Sequence, residues 1–279
     1  MLVNASTRVL VYGLGTGDAA ALTAQMVAYG TRVVAGVAAG RYGERMAGVP
    51  IYDTVADAVL FHQPTAALVT VPPADVLDAC LDAIAHDIRF LVIATEGVPP
   101  ADVRRLRDWA HDTATRVLGP GSAGIIAPAD RVRIGPIGGA DPDRDFPHGP
   151  VGIIASDSSR AAGVARLTRR VGLGVSTAVS IGAGAAITTT PLQLLPLFER
   201  DAATTGVVLA GETVWAAEIA DAILAQRYTK PLIVAPPSDP ALVSEALHDA
   251  GALVAEERED LLQYLSLVFR GTPYFGDAC

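Results

Sequence analysis

The sequence predicts an α/β protein built from two units, each with helices packed on a parallel sheet. Short apolar runs alternate with helix-favouring runs through the first half of the chain, which is the pattern of βαβ crossovers. A glycine-rich turn follows the first apolar run, as it does at the ligand-binding edge of many open sheets. After a proline- and glycine-rich stretch the alternation starts again, and 279 residues leave room for two such units.

The first unit is predicted to span residues 1–134. Its candidate strands are apolar throughout, as expected for strands that helices cover on both faces. The strands are Val9–Tyr12, Arg32–Val37, Ala66–Val71, Phe90–Thr95 and Thr115–Leu118, and the helices are Ala19–Tyr29, Thr54–His62, Ala74–His86 and Pro100–Ala114. Because strands and helices alternate, the crossovers should be right-handed and the sheet parallel.

Residues 135–150 are rich in proline, glycine and charge, which predicts a linker. The second unit, residues 151–279, repeats the alternation and is predicted to be a flavodoxin-like layer. Its strands are Val151–Ala155, Val175–Ile181, Gly206–Ala210, Pro231–Ala235 and Ala252–Ala255, and its helices lie near Arg160–Val171, Leu192–Arg200, Trp215–Gln226, Pro240–Ala250 and Arg258–Phe269. A serine-rich turn, residues 155–159, follows the first of these strands and offers good N-caps for the next helix.

The composition of the chain limits the classes of partner and compartment that we expect. A formal net charge of −9 argues against general nucleic-acid binding, which needs a basic surface. Gly, Pro or charged residues interrupt every apolar run before it reaches the ~18 residues of a membrane span. The N-terminus lacks the pattern of a signal peptide. Cys80 and Cys279 are far apart and suggest neither a disulfide framework nor a metal site. We therefore expect a cytoplasmic protein without a bound metal.

The first glycine-rich turn is the first candidate binding site. Its glycines allow a sharp turn and close approach to a ligand, and the helix that follows directs unpaired N–H groups at an anion. The residues concerned are Gly13, Gly15, Thr16, Gly17 and Asp18. Their G-x-G-x-G spacing falls short of the full dinucleotide fingerprint, so a nucleotide cradle and an ordinary tight turn both remain open.

Arg41 is the second candidate, because it follows the second strand where an NAD site would place an acidic residue. Its planar, permanent cation suits a phosphate monoester, such as the extra phosphate of NADP or the 3′-phosphate of coenzyme A (CoA). A solvated surface arginine explains this residue alone equally well.

Several short motifs together resemble the α subunit of succinyl-CoA synthetase, in the ADP/GDP-forming acyl-CoA synthetase family. They occur in the order and at nearly the spacing of that family and cover almost the whole chain. The motifs lie at residues 13–18, 28–31, 39–41, 48–52, 71–73, 95–99, 119–120, 124–126, 151–154, 180–182, 211–212 and 230–231.

The resemblance implies an N-terminal Rossmann-like CoA-binding domain and a flavodoxin-like ligase domain. It implies that the first glycine turn and Arg41 bind CoA phosphates. The pantetheine arm would then pass Val71, Pro72, Pro73 and Glu96. It also implies an ATP-grasp β subunit as partner, a small carboxylic acid as substrate, and a histidine that carries phosphate between subunits.

The chain departs from the family at that histidine. Residues 230–240 run almost directly into the penultimate helix, so the phosphohistidine loop is expected to be absent, and His248 is expected to be a helix-end residue. The serine turn carries Asp157, which would satisfy the helix end and repel a phosphate. The candidates for placing an acyl group are Glu96, Ser122, Ser156, Ser158 and Glu212.

Three functions follow as hypotheses. The first is a CoA-dependent ligase or acyl-transfer subunit that works without the phosphohistidine, paired with an ATP-grasp-type subunit or with copies of itself. The second is a non-catalytic CoA-sensing or scaffold subunit. The third is an NADP-dependent oxidoreductase, which the sequence supports less because it lacks a recognisable hydride-transfer constellation.

Overall fold

The computed structural model describes residues 2–15, 18–182, 187–211, 214–236 and 245–269. Within them, two seven-stranded, largely parallel sheets are packed with helices. The strands are β1 (Arg8–Tyr12), β2 (Arg32–Val37), β3 (Arg45–Met46), β4 (Val49–Tyr52), β5 (Ala66–Val69), β6 (Phe90–Ile93), β7 (Arg116–Leu118), β8 (Gly124–Ala127), β9 (Val132–Ile134), β10 (His148–Ala155), β11 (Val175–Ser180), β12 (Gly206–Ala210), β13 (Leu232–Val234) and β14 (Leu253–Val254). The predicted α/β class is confirmed.

The helices are α1 (Ala19–Tyr29), α2 (Val55–His62), α3 (Val76–Ala85), α4 (Pro100–Asp112), α5 (Pro142–Asp145), α6 (Ser158–Arg170), α7 (Pro191–Arg200), α8 (Ala216–Leu224), α9 (Glu245–Asp249) and α10 (Arg258–Val268). Local chemistry sets their ends. Gly30 takes the left-handed conformation that closes α1, and the Thr54 side chain accepts a hydrogen bond from the Asp57 amide at the start of α2. No helix in these stretches is long and apolar enough to cross a bilayer.

The first sheet has the order β3-β4-β2-β1-β5-β6-β7. Its central strand β1 pairs in parallel with β2 on one side and β5 on the other. Alternate residues of β1 enter different cores, since Val9 and Val11 face one apolar cluster and Leu10 another. The crossovers leave β1 in opposite directions, and such a switch point opens a crevice at the carboxyl ends of the strands.

The second sheet has the order β14-β13-β12-β10-β11-β8-β9, with its switch point between β10 and β12. Strands β8 and β9 join it antiparallel, so the sheet is mixed where the sequence predicted parallel strands only. Residues 124–134, which the sequence division placed in the first unit, thus hydrogen bond into the second sheet. The predicted linker supplies Ile137 and Phe146 to its core. A division before Gly124 would keep both sheets whole.

The carboxyl edges of the two sheets meet. The Gly119 amide donates to the Ile181 carbonyl at 3.2 Å, and a Cβ on Gly182 would lie only 2.3 Å from the Pro120 carbonyl oxygen. On the outer side of β7, the hydroxyls of Thr188 and Thr189 both donate to the Val117 carbonyl, at 2.6 and 2.5 Å. The loop after β7 and the loop after β11 are therefore in contact at the carboxyl ends of the two sheets.

The buried Arg133 joins the second sheet to α1. Its guanidinium donates to the Gln25 side chain and to the Pro136 carbonyl, each at 3.1 Å, and to the Gly135 carbonyl at 3.2 Å. The Thr31 hydroxyl exchanges two hydrogen bonds with the Arg133 backbone. Burial lowers the pKa of Arg133. This contact fixes Pro136 beside the helix that follows the glycine turn.

Candidate functional site

The predicted glycine turn, Arg41 and the Val-Pro turn come together around one cleft of about 380 Å³, the glycine-turn cleft. It lies at the carboxyl ends of β1, β2 and β5, where the switch point predicts a ligand crevice. Its lining includes Gly13, Gly15, Arg41, Val71 and Pro72. Pro73 lies just beyond this lining, at the start of a short 3₁₀ turn. Thr16 and Gly17 lie outside the described residues.

Arg41 crosses the glycine turn. Its Nη1 donates to the Gly15 carbonyl at 2.7 Å, while Nη2 and Nε donate to Glu44 Oε2 at 2.7 and 3.0 Å. A Cβ on Gly15 would lie 2.6 Å from Arg41 Nη1, and the φ of Gly15 is +157°, so the approach depends on glycine. The guanidinium is half-buried and keeps further N–H groups that could bind a phosphate.

Sequence reasoning missed three polar members of the glycine-turn cleft: Tyr12, Asp53 and Asp75. Asp53 accepts hydrogen bonds from the amides of Arg41 and Tyr42, both at 3.1 Å, and so holds the loop that carries Arg41. Burial and a 2.9 Å hydrogen bond to Asp82 raise the pKa of the Tyr12 hydroxyl. The signals available in the sequence were that Asp53 directly follows β4 and that Tyr12 is the last residue of β1.

A second cleft of about 630 Å³, the α1 cleft, lies beside the first turn of α1. Asp18 and Gln25 line it from the helix, Thr70 and Thr95 from the strand ends, and Pro136 from the second sheet. The Asp18 side chain makes no capping hydrogen bond, so the first amides of α1 have no side-chain acceptor there. Thr70 lies next to Val71 of the glycine-turn cleft, and the two clefts are neighbours along the sheet edge.

Glu96 and Ser122 have different surroundings. Glu96 is exposed after β6, and a Cβ on Gly121 would lie 3.4 Å from its Cγ. Ser122 is buried; its hydroxyl donates to the Ser180 carbonyl at 2.5 Å and accepts from the Gly124 amide at 2.9 Å. Both hydrogen-bonding roles of Ser122 are thus used on two neighbouring strands of the second sheet, β11 and β8.

A third, smaller cleft of about 90 Å³, the serine-turn cleft, lies at the switch point of the second sheet. Ser156 lines it together with Arg160, Gly182, Gly211 and Trp215. The Ser156 hydroxyl donates to Asp157 at 2.9 Å. Ser158 is the exposed first residue of α6 and is not part of the lining. Glu212 lies outside the described residues.

Asp157 caps α6. Its Oδ1 accepts from the Arg160 amide at 2.9 Å and from the Ser159 hydroxyl at 2.7 Å, and its Oδ2 lies 3.2 Å from Arg160 Nε. Burial alone would raise the pKa of Asp157, but these hydrogen bonds, the one from Ser156 and the Arg160 charge outweigh it and lower the pKa. The predicted capping role is confirmed by this geometry.

Replacing Asp157 by alanine should lower the free energy of unfolding by about 1 kcal/mol at neutral pH, because the cap of α6 is lost. Since folding lowers the pKa of Asp157, its contribution is complete above the pKa of the unfolded chain and disappears as the pH falls through the folded value. In urea unfolding, the stability difference between the two proteins should therefore shrink as the pH falls from about 7 to below the folded pKa of Asp157. Asp157→Asn keeps a neutral cap and should retain most of the stability at both neutral and acidic pH. If Asp157→Ala lowered the free energy of unfolding as much in acid as at neutral pH, this account would be contradicted.

The five histidines of the sequence all lie in described residues, and none lines the serine-turn cleft. His148 begins β10, roughly 25 Å of extended strand from the turn at its other end. His248 is in the last turn of α9 with a largely exposed side chain, as predicted for a helix-end residue. The others are His62, His86 and His111, on α2, at the end of α3 and on α4. No group of three His, Cys, Asp or Glu residues suited to a metal occurs in the described stretches.

Comparisons with known proteins give the family of this chain. Residues 4–97 match the model of the CoA binding domain family. The chain is 30% identical to the succinate–CoA ligase [ADP-forming] subunit alpha 1 of Archaeoglobus fulgidus, across 94% of this chain and 96% of that protein. It is also 30% identical to the malate–CoA ligase subunit alpha of Methylorubrum extorquens, across 98% and 94%.

Among solved structures, ATP citrate lyase from Methanothrix soehngenii, in complex with citrate and coenzyme A, superposes with a TM-score of 0.84 at 20% identity. The match covers 96% of this chain and 50% of that one, so our chain spans half its length, and the likeness concerns the fold. The family follows from the sequence relatives. This chain belongs to the family of succinyl-CoA synthetase alpha subunits, the CoA-binding subunits of ADP-forming acyl-CoA ligases.

Proposed function

We propose that this chain is the CoA-binding subunit of an acid–CoA ligase or acyl-transfer system that works without the family's phosphohistidine. The observation that carries the proposal is the glycine-turn cleft, where Gly13, Gly15 and Arg41 meet Val71 and Pro72. CoA, or an acyl-CoA, would supply the thiol that accepts or releases the acyl group. The residues named here hold and orient it.

The cleft suits an anionic, elongated ligand. Gly15 leaves room for close approach beside Arg41, and the uncapped start of α1 offers amides to a diphosphate. Arg41 would bind a terminal phosphate with the N–H groups that Gly15 and Glu44 leave available. From there the α1 cleft continues past Thr70 and Thr95 toward Pro136 of the second sheet. Glu96 lies at this end, and we assign it to the path of the pantetheine arm.

The positions of the histidines support a route without a phosphohistidine. His148 and His248 belong to the amino-terminal side of the second sheet, opposite the serine-turn cleft. Asp157 occupies the start of α6 and neutralises the positive helix end that would otherwise attract a phosphate. The segment where the family's loop would fall includes residues 237–244, outside the described part of the chain. We therefore assign placement of a small carboxylic acid to Ser156 and its neighbours rather than to a histidine.

The test is an assay of thioester formation on a panel of small carboxylic acids. The protein is assayed together with an ATP-grasp-type partner subunit, or alone if it forms homo-oligomers. We expect thioester formation that requires CoA and ATP and survives in His248→Asn. Mass spectrometry under conditions that preserve phosphohistidine should find no phosphorylated histidine during turnover. A stable phosphohistidine in this chain, or loss of turnover in His248→Asn alone, would disprove the proposed route.

The capping of α6 by Asp157 also favours a second candidate, a CoA-sensing or scaffold subunit without its own chemistry. Calorimetry separates the two candidates. Saturable CoA binding with no thioester from any acid, with or without a partner, would favour the sensor. Failure to bind CoA at all would contradict both.

A further inference from the structure

A separate cleft of about 400 Å³ lies between α4, β7 and the start of α7, and we call it the arginine cleft. Arg107 on α4 and Arg116 on β7 line it, and Thr188, Thr189 and Gln193 close it from the second sheet. Arg116 is the first residue of β7, whereas the glycine-turn cleft opens at the carboxyl ends of the strands. The arginine cleft therefore lies apart from the proposed CoA site.

The two guanidinium groups are not neutralised. Neither Arg107 nor Arg116 has a carboxylate within 4 Å among the described residues. Asp108 lines the same cleft without forming such a pair, and His111 lies beside Asp112. Five other arginines of the described residues pair with acids, namely Arg41, Arg89, Arg131, Arg144 and Arg160, whereas others, such as Arg104 and Arg105, do not. Arg116 is half-buried, and burial lowers its pKa, so its guanidinium lies partly out of water.

The cleft also has unused hydrogen-bond donors. Arg107 uses one N–H group on the Ile187 carbonyl, and the guanidinium of Arg116 makes no hydrogen bond to the described residues. Gln193 accepts from the Thr190 amide through its side-chain oxygen at 3.0 Å, which leaves its NH₂ group as a donor. The start of the ten-residue helix α7 adjoins the same space and is closed by the capping box of Thr190 and Gln193.

We propose that the arginine cleft binds a small oxyanion, a phosphate or carboxylate group held between Arg107, Arg116 and Gln193. Two planar cations around a cavity match the bidentate geometry of such groups. The ligand would also contact the segment from Thr188 to Gln193. Pro191 of that segment lines the serine-turn cleft on its other side, so occupancy would act on the proposed acyl site.

Calorimetric titration of the whole chain with inorganic phosphate tests the proposal. We expect saturable binding that weakens about tenfold in Arg116→Gln and in Arg107→Gln, because each removes a charged hydrogen-bond donor. Arg105→Gln is the matched control, since Arg105 is exposed on the same helix and outside the lining, and it should bind as the wild type does. Arg116→Lys keeps the charge and should bind more weakly than wild type but better than Arg116→Gln. Citrate and ADP titrations of both the wild type and Arg116→Gln then tell a carboxylate ligand from a phosphorylated one, because only binding in the arginine cleft should weaken in the variant.

Retained CoA binding and an unchanged melting temperature would show that the Arg116 and Arg107 variants fold. The proposal fails if the wild type binds no phosphate, or if all variants bind it equally. It also fails if Arg41→Gln abolishes phosphate binding while Arg116→Gln keeps it, because the phosphate would then lie in the glycine-turn cleft. If the wild type did not bind CoA, the proposed function would be contradicted, but the conclusion about phosphate binding in the arginine cleft would be unaffected.

Discussion

Replacing Gly124 by alanine should destabilise the protein by about 3 kcal/mol or more, through backbone strain and overpacking together. Gly124 begins β8 with a φ of +95°, and a Cβ there would lie 1.7 Å from the Ile134 carbonyl oxygen on β9. That oxygen belongs to the backbone of a paired strand and has no room to withdraw. Differential scanning calorimetry should show a melting temperature lower by several degrees.

Gly163→Ala is the matched control for Gly124→Ala. Gly163 lies inside α6, and an added Cβ meets nothing within 4 Å. Alanine there should raise stability by about 0.5–1 kcal/mol, since helices favour it over glycine. Equal effects of the two substitutions would contradict the geometry given for β8 and β9.

Arg41→Gln should raise the dissociation constant for CoA about ten- to hundredfold, the loss expected for charged hydrogen bonds worth about 1.5–3 kcal/mol. The reason is that Arg41 is the cation that lines the glycine-turn cleft from the loop after β2. Dephospho-CoA, which lacks the 3′-phosphate, should bind wild type and Arg41→Gln with nearly equal affinity if Arg41 contacts that phosphate.

Glu44→Gln removes the ion-pair partner of Arg41 and should have the opposite effect on CoA affinity. Glu44 holds the Arg41 guanidinium by an ion pair of 2.7 Å, which a ligand phosphate would have to share. Removing the carboxylate should leave CoA affinity unchanged or improve it. A large loss of affinity in Glu44→Gln would mean that Glu44 is needed to position Arg41 and that their ion pair is itself part of the site.

Most of the helices and strands could be predicted from the sequence because their patterns are long and local. Helix α1 has the bounds that the sequence predicts, Ala19–Tyr29, since the glycine turn and Gly30 mark its ends. Strands β8 and β9 were missed as a pair because they are only four and three residues long and pair through a contact with β11. Nothing in the local pattern of residues 124–134 shows that they join the sheet that follows.

The candidate site was predictable only in part. The glycine turn and Arg41 come from a strand-turn-helix pattern and a strand end, and the structure brings them to one cleft. Ser122 could not be assigned, because its partners Ser180 and Gly124 lie on two strands that only the fold brings together. The ion pair of Arg41 and Glu44 was indicated in the sequence by the opposite charges of two residues three positions apart.

The hydroxyls of Thr188 and Thr189 have a further consequence for how the protein behaves in solution. Strand β7 is the last strand of its sheet, and an open strand edge is a template on which other chains can add. Because these hydroxyls occupy the Val117 carbonyl, and the Thr188 hydroxyl also donates to the Gly119 carbonyl at 2.9 Å, acceptors that an incoming strand would need are taken. Two threonines thus protect this edge against edge-to-edge aggregation.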